Sequence, residues 1–206
     1  MISKIQNERS LKDCIRYEIE EIQQDDGHRI NVEVDKRLTH SDYVGIKVDD
    51  YYNGLHIGKT PKSVDFVVIV KNSRCSFTMY IIEFKDVSSQ EGLKIRDIQD
   101  KFTTTINDFL SERFKDIFLD DRYNYKDIQL YLVSDAYGLA GKAESYEKYR
   151  EIQEKLDKKD SLKVDRKLGE KVYKFRNRLL RIKYEFPKKY YLYLKEIFKH
   201  EEVKQE

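Results

Sequence analysis

Nothing in this 206-residue chain ties it to a membrane or to an oxidising compartment. No run approaches the about 18 apolar residues needed to cross a bilayer. The opening "MISKIQNERSLKDC" lacks the apolar stretch of a secretion signal, so a cytoplasmic location is expected, with no membrane partner. Cysteine occurs only at Cys14 and Cys75, with neither C-x-x-C spacing nor the density of a disulfide scaffold, and both are read as reduced and structural. Internal repeats and low-complexity stretches are absent. A large net charge is missing too, at +2, but the charge is unevenly spread. Residues 161–206 hold 14 Lys/Arg against 7 Asp/Glu, whereas residues 1–160 hold 26 against 31, so the carboxy-terminal part is the basic part.

What is present suits a very soluble globular chain, 39% hydrophobic and 38% charged, long enough for one domain with a proper core. Ser10 as N-cap and "LKDCIRYEIEEIQ" predict a first helix ended by "DDG" at 25–27. On its wheel Leu11, Cys14, Ile15 and Ile22 form an apolar stripe with Glu18 in the middle, and a carboxylate there needs a partner. "RINVEVD" and "YVGIKV" read as strands, and "DDYYNGLHIGKTPKS" as a loop or short excursion. "LKIRDIQDKFTTTINDFLSERFKDIF" is a long amphipathic helix. "DIQLYLVSD" is a buried strand that a helix of this length allows to pair in parallel. From "KAESYEKYREIQEKL" onward the pattern reads as helical, through "GEKVYKFRNRLLRIKYEF" and "KKYYLYLKEIF". The division expected is a core over 1–140 and a basic helical extension over 141–206 packed on it.

Two stretches carry the chemistry. "SVDFVVIV" (Ser63 to Val70) is an apolar strand with Asp65 near its start. "YIIEFKDV" (Tyr80 to Val87) is another, with Glu83 and Lys85 at its end on one face and Phe84 on the other. The polar "KNSRCS" between them is short enough for a hairpin. Asp65 then lies beside Glu83, and two carboxylates converge with a lysine. A cross-face ion pair at a strand end is the plain alternative.

Helix, antiparallel strands, helix, strand, with Asp at the start of one hairpin strand and E-x-K at the end of the next, resembles the PD-(D/E)XK nuclease superfamily. That superfamily includes many type II restriction endonucleases and junction resolvases. The resemblance spans about Leu11 to Asp135 and rests on three motif residues plus element order; Val64 stands where a proline often precedes the Asp. It implies an α/β fold with a restriction-endonuclease-like core and a metal-dependent endonuclease that cuts DNA, in restriction-modification or phage defence. It also implies Mg²⁺ or Mn²⁺, held by Asp65, Glu83 and the Phe84 carbonyl, with Glu18 as an added carboxylate. Hard divalent ions prefer such oxygen ligands and keep several waters, and they make water a usable nucleophile near neutral pH. Lys85 takes the catalytic-amine role, orienting or deprotonating the water and offsetting charge on the phosphate. Carboxylates more than about 7 Å apart could not share one ion.

His40 and Gln99 form a second tier, because some superfamily branches carry a His upstream of the Asp or a Gln on the helix after E-x-K. A lone loop His is more often solvent-exposed, and Thr103 stands where one branch has Tyr. Lys101 and Arg96 are candidates for phosphate contact. So are Lys174, Arg178 and Arg181, beside Lys171, Arg176 and Lys183 in the basic tail, although a solvated face explains such a run equally well. The tyrosines, 16 in all, suit core packing better than base stacking. A double-strand cutter of this size would work most simply as a homodimer. The alternatives are a structure-selective or RNA-cutting nuclease of the same fold, a catalytically silent nucleic-acid-binding subunit, and an unrelated α/β interaction protein.

Overall fold

β-branched and aromatic runs bounded by polar turns build the centre of the molecule as a sheet buried on both faces. The computed structural model describes residues 1–22, 29–32, 34, 35, 37–87, 90–134, 136, 148, 151 and 161–185. The described strands are β1 (Ile15–Arg16), β2 (Ile19–Ile22), β3 (Arg29–Val32), β4 (Tyr43–Lys47), β5 (Phe66–Lys71), β6 (Ser76–Lys85), β7 (Asn124–Ser134), β8 (Tyr173–Phe175), β9 (Arg178–Leu180) and β10 (Ile182–Glu185). The described helices are α1 (Ile2–Asn7), α2 (Val48–Gly54), α3 (Ile95–Thr104), α4 (Lys115–Phe118) and α5 (Ser161–Gly169). A π-helical stretch, Thr105–Arg113, joins α3 towards α4.

The main sheet is mixed and six-stranded, in the order β1-β4-β5-β6-β7-β10. β4, β5 and β6 are antiparallel neighbours, and β5 and β6 form the expected hairpin. The chain then crosses one face through α3, the π-helical stretch and α4, and β7 pairs in parallel with β6. Strand alternation sorts the apolar side chains. Val67 and Ile69 of β5, with Met79 and Ile81 of β6, join the core shared with Ile98, Phe102, Ile106 and Phe109 of the crossing helices. Phe66, Val68, Tyr80, Ile82 and Phe84 face the other way, with Ile19 and Val32 of the β2–β3 hairpin. The architecture is therefore α/β with a mixed sheet, as the element order predicts.

Three local expectations are corrected. The first predicted helix is a 3₁₀ turn (Arg9–Cys14) followed by β1 and β2. Ile15, Tyr17 and Ile19 also alternate at period two, and pairing decides the contest: β1 lies antiparallel to β4, with Arg16 opposite Gly45. Gly45 permits that approach, since a Cβ there would stand 2.8 Å from the Arg16 carbonyl oxygen. Glu18 consequently sits in a bend with its side chain exposed, not on the core face of a helix. The second correction is minor, since "VDDYYNG" forms α2, with Tyr51 and Tyr52 buried.

The third correction concerns the tail. Its described part holds one helix, α5, and then three strands rather than a helix. Leu180, Ile182 and Tyr184 are buried while Arg181 and Lys183 are exposed, a period of two. β10 joins the main sheet in parallel beside β7, so this segment is part of the core sheet. Arg176 makes the turn between β8 and β9 at a φ of 49°. Its guanidinium donates to the carbonyls of Phe118 (3.2 Å), Tyr123 (3.0 Å) and Asp120 (2.7 Å). Arg178 donates to the carbonyls of Lys126 (3.1 Å) and Tyr125. Both arginines are thus spent on satisfying backbone. The helical readings of 142–156 and 188–198 lie outside the described residues, apart from Lys148 and Glu151. Of the cysteines, Cys14 is buried, and burial pushes its thiol up to about 11; Cys75 is exposed.

Two outcomes in urea denaturation follow. Gly45→Ala should cost about 1–3 kcal/mol, because the added methyl meets not only the movable end of Ile19 but also the Arg16 carbonyl oxygen, which is backbone and cannot give way cheaply. Arg176→Ala should cost about 2–4 kcal/mol through three lost bonds to carbonyls, and Arg176→Lys should restore little of it, because an ammonium lacks the planar fork. An Arg176→Ala protein as stable as wild type would show that the carbonyls find water at no cost.

Candidate functional site

Asp65 is positioned by three elements. The hairpin register pairs Phe66 with Ile82, so one step further sets Asp65 opposite Glu83. The Asp65 carbonyl accepts from the Val48 N–H at the start of α2 (2.9 Å). The preceding Val64 N–H donates to Thr105 Oγ1, where the π-helical stretch begins (3.1 Å). The Asp65 carboxylate itself accepts the Phe84 backbone N–H at Oδ2, at 2.6 Å. Both the strand start and the side chain are held before any ligand arrives.

Glu83 follows Met79 and Ile81 onto the helix-covered face and is 0% exposed. A carboxylate is rarely buried to this extent unless it is paired. Two lysines converge on one of its oxygens: Lys85 Nζ lies 2.9 Å and Lys101 Nζ 2.6 Å from Glu83 Oε1. Lys101, from α3, also lies 3.8 Å from Asp65 Oδ1. These two distances to a common nitrogen bound the separation of the carboxylate oxygens at 2.6 plus 3.8 Å, about 6.4 Å. Both Glu83 oxygens are buried, and neither is in hydrogen-bond geometry with a partner among the described residues, so the two lysines meet Oε1 as ion pairs. Burial works to lower the Lys101 pKa, but the charges of Asp65 and Glu83 outweigh it and the net shift is upward. The lysine is held as an ammonium.

Of the residues singled out in the sequence, Asp65, Glu83, Phe84, Lys85 and Lys101 meet at this end of the sheet. Phe84 contributes its backbone, while its ring turns to the opposite face against Phe66 (centroids 6.1 Å apart). Lys101 is not a free phosphate contact but the centre of the charge cluster. Glu18 and His40 belong to the other end. Glu18 acts on Tyr43, and His40 stacks on Tyr17 at 3.6 Å, with Tyr43 edge-on. Tyr43 pairs with Val70, at the far end of β5 from Asp65. Gln99 donates to the Lys167 carbonyl (3.2 Å), and its own carbonyl accepts from the Tyr173 hydroxyl (3.2 Å), so it fastens the tail to α3. Arg178 is held by backbone, as above. Arg96, Lys174 and Arg181 are exposed.

One participant, Thr105, was not singled out in the sequence, and Lys101 was singled out for a different role. Thr105 reads as one of three threonines in a row. Lys101 is on a wheel with Ile98 and Thr105, three and four residues away on the buried side of the helix, which is the signal of a charge needing a partner. That signal was visible in the sequence.

No protein-family model matches the chain, and no curated protein or solved structure does either. Its chemistry has to be read from the residues. The donors at the site are hard oxygens, which suit Mg²⁺ or Mn²⁺ rather than a soft metal, and Glu83 Oε2 is a buried acceptor lacking a donor. The described residues hold no group of three or more His, Cys, Asp or Glu side chains able to grip a metal. An ion here would take two carboxylates, the Phe84 carbonyl and water, the sparse set that Mg²⁺ accepts.

The raised Lys101 pKa makes a signed prediction. A folded-state value above the unfolded one adds stability that is complete below the ordinary lysine value of 10.5 and is lost as pH rises through the folded value. Burial holds Tyr52, Tyr80, Tyr125, Tyr131 and Tyr173 protonated well above the ordinary tyrosine value, so their ionisation in the unfolded chain also weakens the fold at high pH. The informative quantity is therefore the difference between wild type and Lys101→Met in denaturation series from neutral pH to above 11. Wild type should fall more steeply above the ordinary lysine value; parallel profiles would show that the ion pairs contribute nothing.

Proposed function

We propose that the chain is a metal-dependent nuclease that hydrolyses phosphodiester bonds in DNA, related in plan to the PD-(D/E)XK enzymes. The observation that carries this reading is the convergence of Asp65, Glu83 and Lys85 on the helix-covered face at the end of the β5–β6 hairpin, with the carboxylate oxygens no more than about 6.4 Å apart. The order of antiparallel hairpin, helical crossing and parallel strand is compatible with it.

In this reading Asp65 and Glu83 hold the ion, and the rigid backbone clamps on Asp65 fix its position in advance, which is what catalytic positioning requires. The ion, when bound, supplies Lewis acidity towards a phosphate oxygen and an attacking water. Lys85, whose side chain keeps 35% exposure, orients that water and offsets charge building up on the phosphate. Exposed Arg96, Lys174 and Arg181 contact backbone phosphates, and a homodimer supplies one site to each strand. A restriction or phage-defence role fits a small chain of this kind.

A second reading, a nucleic-acid-binding subunit without catalysis, draws on one observation: an ammonium, that of Lys101, already sits between the two carboxylates. The two readings part in a single assay of purified protein with plasmid DNA, with and without Mg²⁺ or Mn²⁺, beside Asp65→Ala and Lys85→Ala. Metal-dependent cleavage lost in both variants by about two orders of magnitude or more is the expected result. Salt-sensitive DNA binding, indifferent to metal and without cleavage, would establish the silent subunit instead.

A further inference from the structure

We propose that Lys101 is a built-in counter-cation that competes with the divalent ion for Asp65 and Glu83, so that the ion enters only as Lys101 leaves. The inference rests on the nuclease reading above and deepens it. Among the described residues the ion pairs recorded at the site balance: two carboxylates, Asp65 and Glu83, against two ammonium groups, Lys85 and Lys101. A divalent ion added to that set leaves an excess of two positive charges beside a fully buried carboxylate. In a poorly solvated site such an excess is strongly unfavourable.

The excess is relieved when an ammonium withdraws or an anion arrives. Lys101 is the one placed to withdraw, because its nitrogen is the group that bridges the carboxylates an ion must bridge. Its side chain already keeps 20% exposure, so solvent is within reach of a rotamer change. Lys85 pairs with Glu83 from the same strand and need not move. A phosphodiester brings the compensating anion and gives the displaced Lys101 a partner. Metal and nucleic-acid binding are then positively coupled, each strengthening the other by the same factor.

The test is Mn²⁺ binding to the full chain by isothermal titration calorimetry, without nucleic acid, for wild type, Lys101→Met and the double variant Asp65→Asn/Lys101→Met. Lys101→Met should bind one Mn²⁺ at least roughly tenfold more tightly than wild type, and the double variant should lose that site. Equal affinity in wild type and Lys101→Met would overturn the competition while leaving the nuclease reading intact. Absence of binding in both would remove the metal site itself, and with it the reading on which the inference stands. Should Lys101→Met fail to fold, wild type answers alone through the acylation rate of Lys101, followed by peptide mass mapping. The rate should rise several-fold as Mn²⁺ saturates the site; an unchanged rate would show that the ammonium stays in place.

Discussion

Glu83 is the constraint on which the rest of the structure turns. A fully buried carboxylate near the end of a core strand is tolerated only with cations at hand. Lys85 is supplied by the same strand two residues on, which alternation guarantees. Lys101 must come from another element, so α3 has to lie over this end of β6 and nowhere else. The register of the hairpin is bound by the same requirement. A slip of one residue would send Glu83 to the apolar second face and Phe84 into the charge cluster, and neither face could accept the exchange.

Support for α3 comes largely from the tail. Lys171 donates to Thr103 Oγ1 (2.7 Å), the Tyr173 hydroxyl donates to the Gln99 carbonyl, and Gln99 donates in turn to the Lys167 carbonyl. These bonds sit within one helical turn of Lys101 and lead through β8 and β9 to β10, the sixth strand of the main sheet. The basic character of this region is thereby partly explained. Among its described residues, Lys171, Arg176 and Arg178 hold carbonyls and a hydroxyl of the core, whereas Lys174 and Arg181 are exposed.

Much of the site was legible because strands encode it by alternation alone. Asp65 before an apolar run, a short polar turn and Glu83 at the end of the return strand suffice to bring the carboxylates together, and no long-range information is needed. The first predicted helix failed for a related reason. Leu11, Cys14, Ile15 and Ile22 fit a helical stripe, yet Ile15, Tyr17 and Ile19 fit a strand equally well, and the deciding fact was a partner at Gly45 about thirty residues away with no side chain to obstruct it. The tail failed in the same way. Buried Tyr173 and Phe175, then Leu180, Ile182 and Tyr184, alternate cleanly, but lysines and arginines on the intervening positions also satisfy a helical face, and the free edge of β7 settled the matter.

The two lysines at Glu83 are not equivalent, and the difference bears on how such a site would work. Lys85 is the more exposed and approaches from the strand, so it can stay on Glu83 Oε1 while its remaining protons face a bound molecule. Lys101 bridges Glu83 and Asp65 from the helix and stands in the position where their charges are jointly neutralised. One carboxylate oxygen, Asp65 Oδ2, is committed to the Phe84 N–H, and another, Glu83 Oε2, is buried with no hydrogen-bond partner among the described residues. A fold needing only stability would do as well with an apolar pair at these positions. Retaining four charges, an acceptor without a donor and a threefold clamp on the Asp65 segment is what the proposed metal site would need, with Lys101, in that proposal, holding the place of the ion.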